Sequence, residues 1–113
     1  MKALNLNSGR ELAGRLSVAA TLFSRAKGLL GRQALAQGEG LLIRPCKGVH
    51  TFLMKFPIDV VFLDKNDRIV ETVENLQPYR MTRVLLGSTS AIELPAGTVS
   101  ASATVVGNQV VFD

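Results

Sequence analysis

Val60-Val61-Phe62-Leu63-Asp64-Lys65-Asn66-Asp67-Arg68-Ile69-Val70-Glu71-Thr72-Val73 decides the fold. The run Val60–Leu63 is the strongest strand signal in the chain. Asp64–Asp67 is a cluster of turn formers, and Ile69–Val73 returns as the second arm of a β-hairpin. Downstream, Gln77-Pro78-Tyr79-Arg80 reads as a loop, Ala91–Leu94 as a strand and Ala96-Gly97 as a turn. Gln109–Phe112 reads as a terminal strand after the Gly107-Asn108 hairpin signal. Upstream, Leu41–Ile43 is a short apolar strand ended by Pro45. Val49–Met54 is extended in character until Pro57 forbids a helix. Leu4–Asn7 and Arg15–Val18 both alternate apolar with polar across a Ser8-Gly9 break, so they are expected to pair as a hairpin.

One segment changes period. At about 100° per residue, Ala19, Leu22, Phe23, Ala26, Leu29 and Leu30 fall within one sector, which predicts a short amphipathic helix near residues 20–31. Arg25 and Arg32, seven apart, share a margin of its apolar stripe, and Gly28 and Gly31 weaken it. Short strands at this spacing with one helix near the start define the expected fold: mainly β, a β-sandwich or partly open barrel with one short amphipathic helix near residues 20–31. A parallel α/β sheet is disfavoured because helices do not alternate with strands.

The chain has 113 residues, the length of one domain, so 1–113 is expected to be a single domain. With 47% hydrophobic and 19% charged residues it carries enough apolar surface to fold. No long uncharged run suits a membrane-spanning helix, and the polar start does not develop a secretory h-region, which points to the cytoplasm. Cys46 is the single cysteine and cannot form an internal disulfide. Residues 1–56 hold nine Lys/Arg against two acids, and residues 57–113 hold four against seven. Such asymmetry builds a basic patch only if the halves stay apart in space; interleaved, they neutralise each other. With no Trp, one Tyr and no RNP-like or helix-turn-helix signature, nucleic acid is not an expected partner.

Four stretches together resemble one family, the bacterial and archaeal domain of unknown function 192. Arg25-Ala26-Lys27-Gly28-Leu29-Leu30-Gly31-Arg32 is similar to the family's Arg-x-x-Gly-Leu-Met-Gly-Arg segment. Gly40-Leu41-Leu42-Ile43 follows, then the most specific stretch, Cys46 to Asp64, and finally Ile92-Glu93-Leu94-Pro95-Ala96-Gly97 with Gly107-Asn108 beyond it. The resemblance implies a mainly-β, sandwich-like fold with a short helical insertion, and brings no established reaction, cofactor or substrate. Many relatives carry Trp after the Phe of the third stretch and after the later Pro, where this chain has Leu53 and Tyr79. If those positions stack a ligand in relatives, as a sugar-binding platform requires, this chain has lost part of that platform.

The polar residues inside the matched stretches, Arg25, Arg32, His50, Lys55, Asp59 and Glu93, form the candidate ligand-binding set. Asp59 opens an apolar strand, where an uncompensated carboxylate is costly, so it needs a partner: Arg32, Lys55 or a backbone amide. A buried ion pair or a turn-capping carboxylate is the structural alternative to a functional role. His50 is the only histidine, and any imidazole acid-base chemistry must use it; otherwise it is a packing residue. A Cys46–His50 dyad requires the chain to turn, since four residues of straight strand span roughly 13 Å. Cys46 and His50 with Asp59 or Glu93 lack the short-spaced pairs of metal sites, so no metal and no cofactor are expected. Arg25 and Arg32 with Lys55 suit an anionic ligand, or else salt bridges to Glu93 or Asp59. The expected function is a non-catalytic binding module for a small anionic or carbohydrate-like ligand or a peptide partner. The alternatives are a hydrolase or transferase-type enzyme with His50 and Asp59 as acid-base pair, and a structural partner in an assembly.

Overall fold

A computed structural model describes residues 1–20, 29 and 31–113. The described elements are β1 (Ala3–Asn5), β2 (Glu11–Ala13), β3 (Arg15–Ala19), β4 (Glu39–Ile43), β5 (Ile58–Leu63), β6 (Ile69–Leu76), β7 (Ser90–Pro95), α1 (Thr98–Ala101) and β8 (Val110–Phe112). They form a three-stranded sheet, β2-β1-β8, and a five-stranded sheet, β3-β4-β7-β5-β6, neither closed into a barrel. The fold is thus mainly β, as expected. Most of the helix expected over 20–31, with Arg25, lies outside the described residues.

The β5–β6 hairpin forms as read, with Val61 opposite Thr72 and Val60 opposite Val73. Every residue of β5 is buried because both faces of the five-stranded sheet are covered, which is why this segment reads as unbroken hydrophobicity rather than alternation. On one face Val61, Leu63, Leu42, Ile92 and Leu94 meet Ala3, Ala13 and Val110 of the smaller sheet, and Val99 of α1. On the other, Ile58, Val60, Phe62 and Ala91 pack beneath Leu29, Leu35, Val49 and Met54 from the loops. Packing is close at Gly40, where a Cβ would lie 2.9 Å from Ala13 Cβ of the smaller sheet and 3.0 Å from Leu94 Cδ2 of its own.

Three local expectations are corrected. β1 pairs with β2 and β8, while β3 leaves for the larger sheet and runs parallel to β4. The switch occurs at Gly14-Arg15, whose two amides both donate to Gly38 O at 2.9 Å. Alternation marked β1 and β3 as half-buried strands but carried no information about their partners. Val49–Met54 is not a strand: His50 alone forms a bridge, to Met81, and the chain then turns through Leu53 at φ 65°. Gly107 does adopt a turn conformation, φ 95°, yet the sheet partner of β8 is β1 at the other end of the chain. No helix among the described residues is long and apolar enough to cross a membrane.

Candidate functional site

Asp59 needs compensation, and the structure supplies it without a cation. Its side chain is fully buried on the inter-sheet face of β5. Oδ1 accepts from the Asn75 amide at 2.8 Å, and Oδ2 accepts from the amides of Gly97 at 3.1 Å and Val99 at 2.9 Å. Gly97 is the residue that caps α1 and has no side chain with which to do so. Asp59 therefore supplies the cap from a strand, satisfying the first amides of the helical turn. Of the partners expected for it, Arg32, Lys55 or a backbone amide, the structure supplies the last, and three backbone dipoles do the work of a cation.

The remaining members of the expected set do not converge. Arg32 is exposed and pairs with Glu39 at 3.1 Å. The Glu39 carboxyl is held below its ordinary range, first by the Ala36 amide and then by Arg32. Lys55 is exposed, with no ion pair among the described residues. His50 is exposed, and its ring stacks on Phe52 with centroids 5.2 Å apart. An acid-base pair of His50 and Asp59 is not assembled, since both Asp59 oxygens are engaged by amides while His50 faces outward. Among the described residues no three His, Cys, Asp or Glu side chains cluster as metal ligands.

Glu93 lies in the middle of the five-stranded sheet, opposite Leu41 and Val60 in register. It is buried, and no hydrogen bond to its carboxylate occurs among the described residues. Burial pushes its carboxyl from 4.5 up to about 7. A cavity of about 550 Å³ opens elsewhere, between β2, the 35–38 loop and α1, with Arg10, Gln37 and Thr98 among its lining residues. None of the six residues singled out by sequence lines it.

What the loops build is a platform. Segments 46–56 and 77–86 run antiparallel: Tyr79 N donates to Thr51 O at 2.9 Å, Thr51 N to Arg80 O at 2.8 Å, Thr82 N to Val49 O at 2.8 Å and Leu85 N to Lys47 O at 2.8 Å. Thr51, fully buried, fastens the crossing further, because its hydroxyl donates to Gln77 O and accepts from the Arg80 amide. With Val49 and Thr51 turned inward, the intervening His50 faces out beside Met81, its bridge partner, and Phe52. Along the same segments Leu53 is 67%, Tyr79 58%, Met81 65%, Val84 68% and Leu86 83% exposed. Leu53 and Tyr79 both adopt left-handed backbone, φ 65° and 62°, which costs a bulky residue about 1–2 kcal/mol. Those are the two positions where the family resemblance places Trp. The two segments carry four cations, Lys47, Lys55, Arg80 and Arg83, and no acid, while the other residues of the chain hold nine of each sign. The whole formal charge of +4 therefore resides here. Counting by halves hid it, because the platform draws one segment from each half.

The model of the domain of unknown function 192 family (DUF192, Uncharacterized ACR) matches residues 4–112. A UPF0127 protein of Thermococcus sibiricus is 26% identical over 111 residues, covering 95% of this chain and 71% of that protein. A crystal structure of a protein of unknown function from Novosphingobium aromaticivorans superposes with a TM-score of 0.84 at 22% identity, covering 98% of this chain and 82% of the other. A "putative transcription regulator" from Sinorhizobium meliloti gives 0.80 at 22% identity, covering 97% and 89%. At these identities the two structures are alike in fold.

Proposed function

The chain belongs to the DUF192 family of uncharacterised proteins, and on that premise we propose that it is a non-catalytic binding module whose contact surface is the platform of segments 46–56 and 77–86. Its partner is anionic and presents apolar groups. The observation that carries this reading is the coincidence, on two bonded loops, of exposed apolar side chains, four cations with no acid in either segment and two residues held at positive φ. Strain at a large exposed side chain is retained where its position matters more than its cost. Several large apolar side chains exposed along cationic loops are a contact signature rather than a feature of folding. The fold relative described as a putative transcription regulator is in keeping with a protein that acts by contact.

The test is amide-shift mapping by NMR against an acidic peptide containing Leu and Phe, a sulfated disaccharide, inorganic phosphate and monomeric decanoate. At least one is expected to shift amides confined to the two segments. Leu53→Gly and Tyr79→Gly are expected to weaken that binding by about fivefold or more. Both should leave the melting temperature unchanged or raised, because Gly relieves the positive φ. Shifts located elsewhere, or none with any probe, would remove the platform from consideration.

A further inference from the structure

We propose that the partner of this platform is an anionic lipid surface, which the protein meets by seating Leu53, Tyr79, Met81, Val84 and Leu86 in the interface while Lys47, Lys55, Arg80 and Arg83 contact headgroup phosphates. The proposal rests on the binding-module reading and names its ligand. Shape is the first argument. A groove that receives a peptide shields its lining from two sides, whereas these five side chains are each more than half exposed and project from loops. Projecting aliphatic tips gain little from a rigid protein surface unless it is matched to each of them. A fluid interface conforms to them without such matching.

Chemistry is the second argument. Tyr79 is an amphipathic ring of the kind that settles at headgroup level, while the Leu, Met and Val tips suit the acyl boundary. Charge distribution is the third. The two segments hold four cations and no acid, and with Arg83 paired to Glu71 three of them have no acidic partner among the described residues. An anionic surface therefore orients it platform-first. Lys55 and Arg80 form no ion pair among the described residues and are available for phosphate. Arg83 is shared with Glu71 at 2.9 Å, and Lys47 Nζ donates to the Leu86 and Ser88 carbonyls, which fixes one cation at the base of the most exposed tip.

The chain supplies its own reporter. Tyr79 is the only tyrosine and there is no Trp, so emission excited in the tyrosine band reads the platform alone. The experiment is co-sedimentation with phosphatidylcholine vesicles, with and without phosphatidylglycerol, together with Tyr79 quenching by acyl-chain-brominated phosphatidylglycerol. Binding is expected with phosphatidylglycerol and to be about tenfold weaker without it. The brominated chains should quench Tyr79. Leu53→Ser with Leu86→Ser, and separately Lys55→Ser with Arg80→Ser, should each weaken vesicle binding by about tenfold at unchanged melting temperature. No binding to phosphatidylglycerol vesicles, binding without quenching, or Ser variants indistinguishable from the parent would each overturn the proposal. If vesicles fail while the acidic peptide still shifts the platform amides, the lipid assignment falls and the module stands. If vesicles fail and none of the peptide, disaccharide, phosphate and decanoate probes shifts the platform amides, both fall.

Discussion

Replacing Asp59 by Ala removes an acceptor that three backbone amides share, that of Val99 buried and those of Asn75 and Gly97 partly so, and the cost follows from the geometry. The Asn75, Gly97 and Val99 amides lie 2.8, 3.1 and 2.9 Å from its oxygens, and the side chain is fully buried. A hydrogen bond to a charged group contributes roughly 1.5–3 kcal/mol. Because Gly97 lines the cavity beside α1, water can reach part of the vacated space, which favours the lower figure for each bond. The loss should then be about 4 kcal/mol, a large share of the ~5–15 kcal/mol that holds a domain together. For a domain of this length that corresponds to a fall of at least about 15 °C in Tm. Asp59→Asn keeps one acceptor but turns an NH2 toward the remaining donors, and should lose about half as much. Urea denaturation followed by circular dichroism measures both. A loss below about 1 kcal/mol for Asp59→Ala, with an unchanged m-value, would refute the view that this carboxylate holds β5, β6 and α1 together.

Two further outcomes follow from buried positions. Glu93 has its carboxyl raised from 4.5 to about 7, so the folded state binds the extra proton between those values. Stability is therefore full below about pH 4.5, declines as pH rises toward 7 and levels off above it, a loss of roughly 3 kcal/mol. Glu93→Gln should flatten that decline in urea titrations at pH 5 and pH 8, and an unaltered slope would show that another group titrates. Gly40→Ala places a methyl 2.9–3.1 Å from Ala13, Leu94 and Leu16, and should cost about 1–3 kcal/mol in a thermal melt, whereas a wild-type Tm would mean that the layers can part there.

The sequence carried some of this architecture plainly and other parts not at all. The β5–β6 hairpin was legible because a local turn cluster and two β-branched runs specify each other within nineteen residues of chain. The partners of β1 were not, since β8 lies at the opposite end of the chain and alternation says nothing about neighbours. Asp59 was recognisable as a carboxylate in need of a partner. Its donors are 16, 38 and 40 residues away, beyond the reach of any spacing argument. Arg32 was grouped with Asp59 and Glu93 but found Glu39, seven residues on. The platform was missed because Leu, Met and Val are expected inside, and only the contacts show that Leu53, Met81, Val84 and Leu86 have nothing above them. A usable signal was present all the same. Segments 46–56 and 77–86 contain four cations without one acid.

Thr51 gives the molecule a modular character. One small residue, through its amide, carbonyl and hydroxyl, bonds to Gln77, Tyr79 and Arg80 and so holds two otherwise irregular loops in register above the second hydrophobic layer. The scaffold beneath does not depend on the identity of the tips it presents. A change at a tip therefore leaves the bonds of the buckle untouched, whereas a change at Thr51 strikes both loops at once.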